Sequence, residues 1–349
     1  MSDERTNPTA VALFSKRAAI VASVTDRVFE QAPELEARYG SAGRRKCAQD
    51  AEYHLAYLEQ AVALGSAELF ADYVAWARTM LASRGLPADD LAGHLRTLTG
   101  VIAEHLPPAD SRIVAGIVEA ALARLPASHA SGLAPDSLPG RFLAALRTAG
   151  PDAAAALVAE WLDAGLSLRA LYLQVLQASQ LEIGRLWQVN EISVAEEHYY
   201  TAATQLVMAR LYARLFAHAS HGPTVVIACV SGELHEIGAR MVADLLQSEG
   251  FTTFFLGANL PVRDLVDFVA ARRASVVGLS TTFGPHLSHA AESIRALRSD
   301  ARTAGVRIVV GGYPYNRVDG LWHRLGADAF AADAEEALRV VRELCGQAP

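Results

Sequence analysis

The 349-residue sequence predicts a multidomain chain in which all-helical domains precede an α/β domain. Residues 1 to about 126 carry apolar and aromatic side chains at three- and four-residue intervals, the spacing of amphipathic helices. After about residue 222, short β-rich runs alternate with helical segments. Five strand–helix pairs with uninterrupted apolar strands are typical of a parallel sheet covered on both faces.

The composition along the chain predicts three domains. An N-terminal helical domain spans 1–130, and the Ser-, Pro- and Gly-rich stretch 127–140 has no periodicity, which is typical of a linker. Four helical segments with short connections over 138–219 predict a four-helix bundle. The α/β domain spans 222–349.

Charge, cysteine content and hydropathy exclude several classes of function. The net charge of −7 disfavours direct nucleic-acid binding. Cys47, Cys229 and Cys345 lie far apart, which argues against a disulfide scaffold and a zinc site and suits a reducing compartment. No run approaches the length needed to cross a bilayer, and the polar N-terminus lacks an apolar signal segment. We therefore expect a cytoplasmic protein that does not act at a membrane.

Residues suited to ligand binding follow three of the predicted strands, at the edge where parallel sheets bind ligands. In chain order they are Glu233, His235 and Gly238 after the first strand, Ser280 and Thr282 after the third, and Gly311 and Gly312 after the fourth. His235 can ligate a metal through one ring nitrogen. Glu233, two residues earlier, can accept a hydrogen bond from the other ring nitrogen and so fix the tautomer. His235 is the only histidine expected at its strand end. Paired glycines allow the backbone to approach a flat, bulky group.

This pattern, E-x-H-x-x-G followed by S-x-T and G-G, resembles the cobalamin-binding signature of methionine synthase, corrinoid proteins and cobalamin mutases. The resemblance implies a flavodoxin-like or Rossmann-type five-stranded sheet that binds cobalamin base-off. It also implies that His235 is the lower cobalt ligand and that the nucleotide tail runs beside Ser280 and the two glycines. Glu233 replaces the usual Asp and is an equivalent hydrogen-bond acceptor.

A second motif lies at a predicted helix corner, LWQVNEISVAEEH. Asn190 can adopt the left-handed conformation that ends a helix, and Ser193 with Glu196 forms a capping box that starts the next one. Trp187 therefore lies in the last turn of one helix. The Glu-His pair that follows lies at the start of the next helix, at the same end of the bundle.

The W-x9-E-H motif at Trp187, Glu197 and His198 resembles the upper-face motif of the CarH-type light sensors, which bind adenosylcobalamin. The resemblance implies that the bundle caps the corrin and that these side chains pack around the adenosyl group. The sequence departs from that family in two ways. No segment resembles its DNA-recognition helix, and Gln188 stands where the family has a histidine that binds cobalt after photolysis.

The N-terminal segment 44–84 is dense in aromatic and basic residues. It resembles the degenerate globin-like domain of photocobilins, sensors that pair cobalamin with biliverdin; the alternative is a helical dimerisation domain with core aromatics. For a non-covalently bound bilin, the candidate residues are Tyr53, Tyr57, Tyr73 and Trp76 as walls, His54 at the pyrrole nitrogens, and Arg44, Arg45, Arg78 and Arg84 at the propionates.

These resemblances imply a photoreceptor that binds adenosylcobalamin and biliverdin. Light would break the cobalt–carbon bond and change domain packing and quaternary structure, with light-dependent homo-oligomer assembly and a separate effector protein. The sequence offers no nucleophile–base pair or phosphate loop, so we expect a sensor and not an enzyme. The alternative is a methylcobalamin-carrying corrinoid protein of a methyltransferase system. A mutase subunit is disfavoured because the chain lacks a substrate barrel.

Overall fold

The computed structural model describes residues 7–124, 132–215 and 222–347, and the chain divides into two compact units, Met1–Ser128 and His129–Pro349. The linker predicted at 127–140 lies partly outside the described residues. Residues 7–124 are helical, which confirms the all-helical prediction. The helices are α1 (Pro8–Gln31), α2 (Glu34–Ala63), α3 (Ala67–Ala82), α4 (Ala88–His105) and α5 (Pro108–Ala123).

The N-terminal unit is built around the apolar faces of these helices. The side chain of Asn7 caps α1 by accepting hydrogen bonds from the backbone of Thr9 and Ala10, and α2 kinks at Gly40, where φ is 52°. The buried core residues come from each helix and include Leu13, Ile20, Leu55, Phe70, Leu95, Leu98, Ile102, Val114 and Val118.

Residues 138–215 form the predicted four-helix bundle, which we call the cap. Helix α6 (Leu138–Asp163) is broken at Gly150, where φ is 82°, and so supplies two helical segments. The third segment is α7 (Leu168–Ala170), a π-helical stretch (Leu171–Gln177) and α8 (Ala178–Gln188), and the fourth is α9 (Val194–Leu215).

The corner between α8 and α9 has the predicted local structure. Asn190 has φ 61°. The Glu196 carboxylate accepts a hydrogen bond from the backbone N–H of Ser193 (2.8 Å), and the Ser193 hydroxyl accepts one from the backbone N–H of Glu196 (3.2 Å). The capping box is therefore confirmed, and it starts α9 one turn before the Glu-His pair.

By length and composition alone, α6 is long and apolar enough to cross a membrane, which corrects the expectation that no run approaches that length. One face of α6, including Phe142, Leu146 and Trp161, lies in the core of the cap. The helix therefore behaves here as a core element of the bundle.

Residues 222–347 form a five-stranded parallel sheet with the order β2-β1-β3-β4-β5. The strands are β1 (Thr224–Cys229), β2 (Thr252–Phe255), β3 (Val276–Ser280), β4 (Arg307–Gly311) and β5 (Ala329–Ala331). The helices are α10 (Ile237–Ser248), α11 (Val262–Arg272), α12 (Leu287–Ser299), α13 (Tyr313–Arg317), α14 (Leu321–Leu325) and α15 (Ala334–Leu344). The order reverses between β1 and β3, so the ligand-binding edge lies at the carboxyl ends of these two strands.

The cap and the sheet domain share one hydrophobic core. The core of the cap continues into α10 and α15 through Met241, Leu245 and Ala334. A buried hydrogen bond joins the hydroxyl of Tyr172, in the π-helical stretch, to Oδ2 of Asp244 on α10 at 2.8 Å. The cap is therefore held over this side of the sheet by both apolar and polar contacts.

Candidate functional site

The register of the sheet places the predicted ligand-binding residues at one edge. Ser280 pairs with Cys229 on one side and with Gly311 on the other, and Gly311 pairs with Ala331. The loops that follow β1, β3 and β4 therefore leave the sheet side by side. The three segments of the signature, far apart in the sequence, meet at this edge.

Glu233 is the centre of this edge and its side chain is fully buried. Its Oε1 accepts hydrogen bonds from the backbone N–H of His235 (3.0 Å) and from His235 Nδ1 (2.6 Å). Its Oε2 accepts from the backbone N–H groups of Thr282 and Phe283 (2.8 Å each) and lies 3.2 Å from His286 Nδ1. One carboxylate thus ties the loop after β1 to the loop after β3.

These contacts keep Glu233 ionised. Burial opposes ionisation of the carboxyl group, but hydrogen bonds from His235 and His286 and from backbone N–H groups outweigh it, so the pKa of Glu233 lies well below its usual range. A buried carboxylate is stable only with such partners. The site therefore holds a permanent negative charge beneath the histidine.

His235 is set up as a ligand by this charge. An ionised carboxylate can only accept hydrogen bonds, so Nδ1 of His235 carries the proton and Nε2 retains its lone pair in the neutral ring. The side chain is 63% exposed, so Nε2 is accessible to a ligand. The hydrogen bond to Glu233 raises the pKa of His235, and the charge of Glu197 raises it further.

Two glycines of the motif lie where a side chain would clash with the protein's own main chain, and a third borders open space. Gly312 has φ 113°, and a Cβ at this position would overlap the backbone carbonyl of Thr281. A Cβ at Gly311 would lie 3.0 Å from the carbonyl oxygen of Ala331. At Gly238, in the first turn of α10, a Cβ would meet nothing within 4 Å, so the backbone borders open space. Gly311 and Gly312 therefore allow the main chain to pack closely at the ends of β3, β4 and β5, and Gly238 leaves room at the start of α10.

The cap contributes a second group of polar residues. Oε1 of Glu197 accepts a hydrogen bond from the Thr201 hydroxyl (3.0 Å), and Oε2 lies against Nδ1 of His198. His198 is largely exposed, and Trp187 is half-buried against the core of the cap. The charge of Glu197 raises the pKa of His235, so this carboxylate of the cap is close enough to act on the predicted ligand.

The cap also touches the loop that carries His235. Nε2 of Gln205, on α9, donates a hydrogen bond to Oε1 of Glu236 at 2.8 Å. Gln188, which stands where the CarH-type sensors have a histidine, is buried in the cap. The loop after β1 is thus bounded by the cap above and by the loop after β3 at its side.

The structure corrects the expectation that His235 has no neighbouring histidine. His286 and His289, from the loop and helix after β3, approach the loop that carries His235. Asn259, after β2, contacts the same loop through its side chain. These three residues follow other strands than His235 does, so the sequence does not show that they meet; the register of the sheet brings them together.

In the N-terminal unit, part of the predicted bilin site forms one aromatic cluster. Nδ1 of buried His54 lies 2.7 Å from the Tyr73 hydroxyl, and the rings of Tyr57 and Tyr73 stack at 3.9 Å. The Trp76 ring lies 6.4 Å from that of Tyr73. Burial lowers the pKa of His54 to about 3, with the charge of nearby His94 as a second cause, so His54 is neutral.

The remaining candidates of this unit make other contacts. Arg44 forms ion pairs with Glu36 and Asp26, whereas Tyr53 is exposed. Arg45 donates a hydrogen bond to the Ser41 hydroxyl, and Arg84 donates one to the Met80 carbonyl. Arg78 lines a pocket of about 220 Å³, whose other lining residues are Val74, Asp89, Leu91, Ala92, Arg96 and Leu122. The structure therefore brings His54, Tyr57, Tyr73 and Trp76 into one cluster, whereas Arg44, Arg45 and Arg84 have protein partners of their own.

Three parts of the chain match known protein families. Residues 140–212 and 223–342 each match a family described as "B12 binding domain". Residues 2–125 match the family described as "Phycobilisome protein". The first two matches coincide with the cap and the sheet domain, and the third covers the N-terminal helical unit.

Individual relatives agree with these matches. The chain is 30% identical to dimethylamine corrinoid protein 3 of Methanosarcina mazei over 121 residues, 34% of this chain and 71% of that protein. It is 30% identical to the HTH-type transcriptional repressor CarH of Myxococcus xanthus over 166 residues, 46% of this chain and 53% of that protein. For the first of the dimethylamine corrinoid proteins that it matches, from Methanosarcina acetivorans, it spans only 55% of the length.

A solved structure supports the fold. The monomethylamine corrinoid protein of Methanosarcina barkeri superimposes with a TM-score of 0.53 at 21% identity, covering 60% of this chain and all of that one. Together with the geometry at the carboxyl edge of the sheet, these similarities identify the chain as a member of the B12-binding protein family that carries a phycobilisome-like helical domain at its N-terminal end.

Proposed function

We propose that this protein is a light-sensing photoreceptor that binds adenosylcobalamin between the cap and the sheet and biliverdin in the N-terminal domain. The observation that carries the proposal is the contact between α9, the helix that carries the Glu-His pair at its start, and the loop that carries His235, through Gln205 and Glu236 at 2.8 Å. The CarH repressor and the phycobilisome family, which match different parts of this chain, support the same function.

The residues at the sheet edge fit the lower face of a cobalamin. The His235 side chain is exposed, and its Nε2 is free of a proton because the proton of the neutral ring lies on Nδ1, where Glu233 accepts it in a hydrogen bond. At the same edge, Gly311 ends β4 beside Ser280, and the backbone at Gly238 borders open space. A base-off cobalamin needs both features, a free imidazole nitrogen and room for the displaced nucleotide tail.

The residues of the cap corner fit the upper face. Trp187 offers an aromatic surface at the end of α8, and Glu197 offers a carboxylate acceptor at the start of α9. When bound, adenosylcobalamin supplies a cobalt–carbon bond that light can cleave. Trp187 and Glu197 would hold the adenosyl group in the dark and lose these contacts after its departure.

The shared core gives the cap a route to signal. Because the apolar core of the cap continues into α10 and α15, repacking at Trp187 would bias any interface built on these helices. We propose light-dependent homo-oligomer assembly that is read by a separate effector protein, without enzymatic turnover.

The first test is an absorption spectrum of the protein prepared in the dark with adenosylcobalamin, before and after illumination. A base-off, His-on spectrum that changes irreversibly in light is the expected result. Trp187→Ala should weaken retention of adenosylcobalamin more than that of methylcobalamin, with Trp322→Ala, on α14, as the matched control. An unchanged spectrum after illumination would refute the light-sensing role.

A methyl-carrying corrinoid protein is the second candidate, because the relatives with 30–31% identity include several dimethylamine corrinoid proteins. This candidate predicts that the cap does not discriminate between the two cobalamins. Equal loss of methyl- and adenosylcobalamin in Trp187→Ala would favour it over the photoreceptor.

The bilin proposal has a separate test. Biliverdin added to the full chain should give a protein-bound, red-shifted band that weakens in Trp76→Ala and persists in the control Trp322→Ala. The expected cause is loss of one wall of the aromatic cluster. If biliverdin gives no protein-bound band with the full chain, the N-terminal unit is a helical dimerisation domain or has another role.

A further inference from the structure

The loop between β1 and α10, residues 231–236, packs against two histidines that follow β3. His286 ends a single 3₁₀ turn and His289 lies in the first turn of α12, three residues later. Their rings stack with centroids 5.9 Å apart at an interplanar angle of 20°. Residues three apart share one face of a helical turn, so both rings face the same neighbour.

His286 contacts the loop through Glu233. Its Nδ1 lies 3.2 Å from Glu233 Oε2, and the ring is largely buried beside Phe283, with centroids 5.4 Å apart. Because the carboxylate only accepts hydrogen bonds, Nδ1 of His286 is the donor. This donor acts on Oε2, the oxygen that does not bind His235, and together with the backbone N–H groups of Thr282 and Phe283 it fixes the plane of the carboxyl group.

His289 contacts the loop through the main chain. Its Nδ1 lies 2.7 Å from the carbonyl oxygen of Ser231, which again makes Nδ1 the donor. Gly232 lies between the two rings with φ 80°, and a Cβ at this position would lie 3.1 Å from His286 Nε2. The two histidines and a glycine in the left-handed region thus form one close-packed unit.

Asn259, after β2, contacts the same loop. Its Oδ1 accepts a hydrogen bond from the backbone N–H of Gly232 (2.7 Å), and its own N–H donates to the carbonyl oxygen of Glu233 (2.9 Å). Connections from two different strands therefore hold the loop that presents His235. A loop that is already held in the binding conformation does not lose conformational entropy when the cofactor binds.

We propose that His286 and His289 form a histidine clasp, a pair of positioning residues that hold the loop 231–236 in the conformation that presents Nε2 of His235 to cobalt. They act through Glu233 and Ser231 and do not themselves touch the metal. The inference rests on the proposed cobalamin site for its purpose, but the clasp belongs to the cofactor-free protein and can be measured there.

The first experiment is hydrogen–deuterium exchange of the full chain without cofactor. His286→Leu and His289→Leu remove the donors and should increase exchange at the hydrogen-bonded amides of Gly232 and His235 by about 10-fold. Asparagine carries a donor nitrogen at the position of Nδ1, so His286→Asn and His289→Asn should retain most of the protection. His323→Leu, on α14, is the matched control.

The second experiment titrates the same variants with cobalamin in the dark. Removing a group that orients a metal ligand lowers affinity by about 10- to 100-fold. We expect the leucine variants to bind about 10-fold more weakly and to show a smaller His-on fraction in the absorption spectrum at saturation. The asparagine variants should recover both quantities.

Leucine variants with wild-type loop exchange and a wild-type His-on fraction would overturn the proposal. Equal effects of leucine and asparagine would also overturn it, because the rings would then act by shape and not as donors. If a leucine variant fails to fold, the asparagine variant at the same position tests the proposal. Accelerated amide exchange in the loop of that variant would exclude a hydrogen-bonding role for the histidine. A wild-type chain that binds no cobalamin refutes the proposed function, whereas the exchange data still test the clasp.

Discussion

Replacing Glu233 by glutamine tests whether the charge of this buried carboxylate organises the site. The substitution keeps the length and shape of the side chain but replaces one acceptor oxygen by a donor nitrogen. Glu233 is fully buried and its two oxygens bind donors from two different loops. The amide can therefore serve only one of the two sets of donors.

Two orientations of the amide are available, and each has a cost. With the nitrogen at the Oε2 position, the backbone N–H groups of Thr282 and Phe283 lose their acceptor. An unsatisfied buried donor costs about 1–3 kcal/mol, and for these part-buried groups the lower limit gives about 2 kcal/mol in total. With the nitrogen at the Oε1 position, His235 can accept at Nδ1 only if Nε2 is protonated, which removes the lone pair that cobalt needs.

The assay has two readouts. Thermal unfolding of cofactor-free Glu233→Gln should show an apparent midpoint lower by about 4–8 °C, the shift that about 2 kcal/mol causes in a unit of this size. Cobalamin affinity should fall by about 10- to 100-fold. Glu249→Gln, which removes an exposed ion pair with Arg342, is the control and should change little.

A result in which Glu233→Gln retains both the unfolding midpoint and the His-on spectrum would refute the reasoning. It would mean that the carboxylate is not needed as a charged acceptor and that the loops after β1 and β3 are held by other contacts. A lower midpoint with an unchanged spectrum would limit the role of Glu233 to stability.

Three further predictions concern single features. Gly312→Ala should destabilise the sheet domain by about 1–3 kcal/mol, because φ is 113° and a Cβ would overlap the carbonyl of Thr281. Urea unfolding measures this loss of stability, and a wild-type unfolding midpoint would contradict the prediction. Tyr172→Phe should cost about 1–3 kcal/mol, because Oδ2 of the buried Asp244 loses its donor while Oδ1 keeps that of Arg240, and a neutral effect on urea unfolding would exclude that role. Acidification should weaken the N-terminal unit, because burial lowers the pKa of His54 from 6.5 to about 3 and the unfolded chain binds the proton first. The contribution of His54 is then full above pH 6.5 and lower by about 2 kcal/mol at about pH 5, and His94, whose pKa burial lowers to about 4, adds a loss of the same sign; His54→Asn should remove the first part in melts at the two pH values.

Structural features that depend only on residues close together in the sequence were predictable. Asn190 and the Ser193–Glu196 capping box are local, and the structure has them as expected. The hydrogen bond between Glu233 and His235 joins residues two apart, so its geometry follows from the loop itself. The five parallel strands were predictable because each is an uninterrupted apolar run followed by a helix.

The sequence by itself determined the type and order of the domains and the spacing of the cobalamin signature, because periodicity and short-range hydrogen bonding are local properties. Only the tertiary structure decided that His286 and His289 meet the loop that carries His235, because that contact depends on the register of β1 against β3. The tertiary structure likewise decided that His54 is bonded to Tyr73 in the core. Contacts across tens of residues depend on how apolar faces pack together, and a single sequence does not record which faces meet.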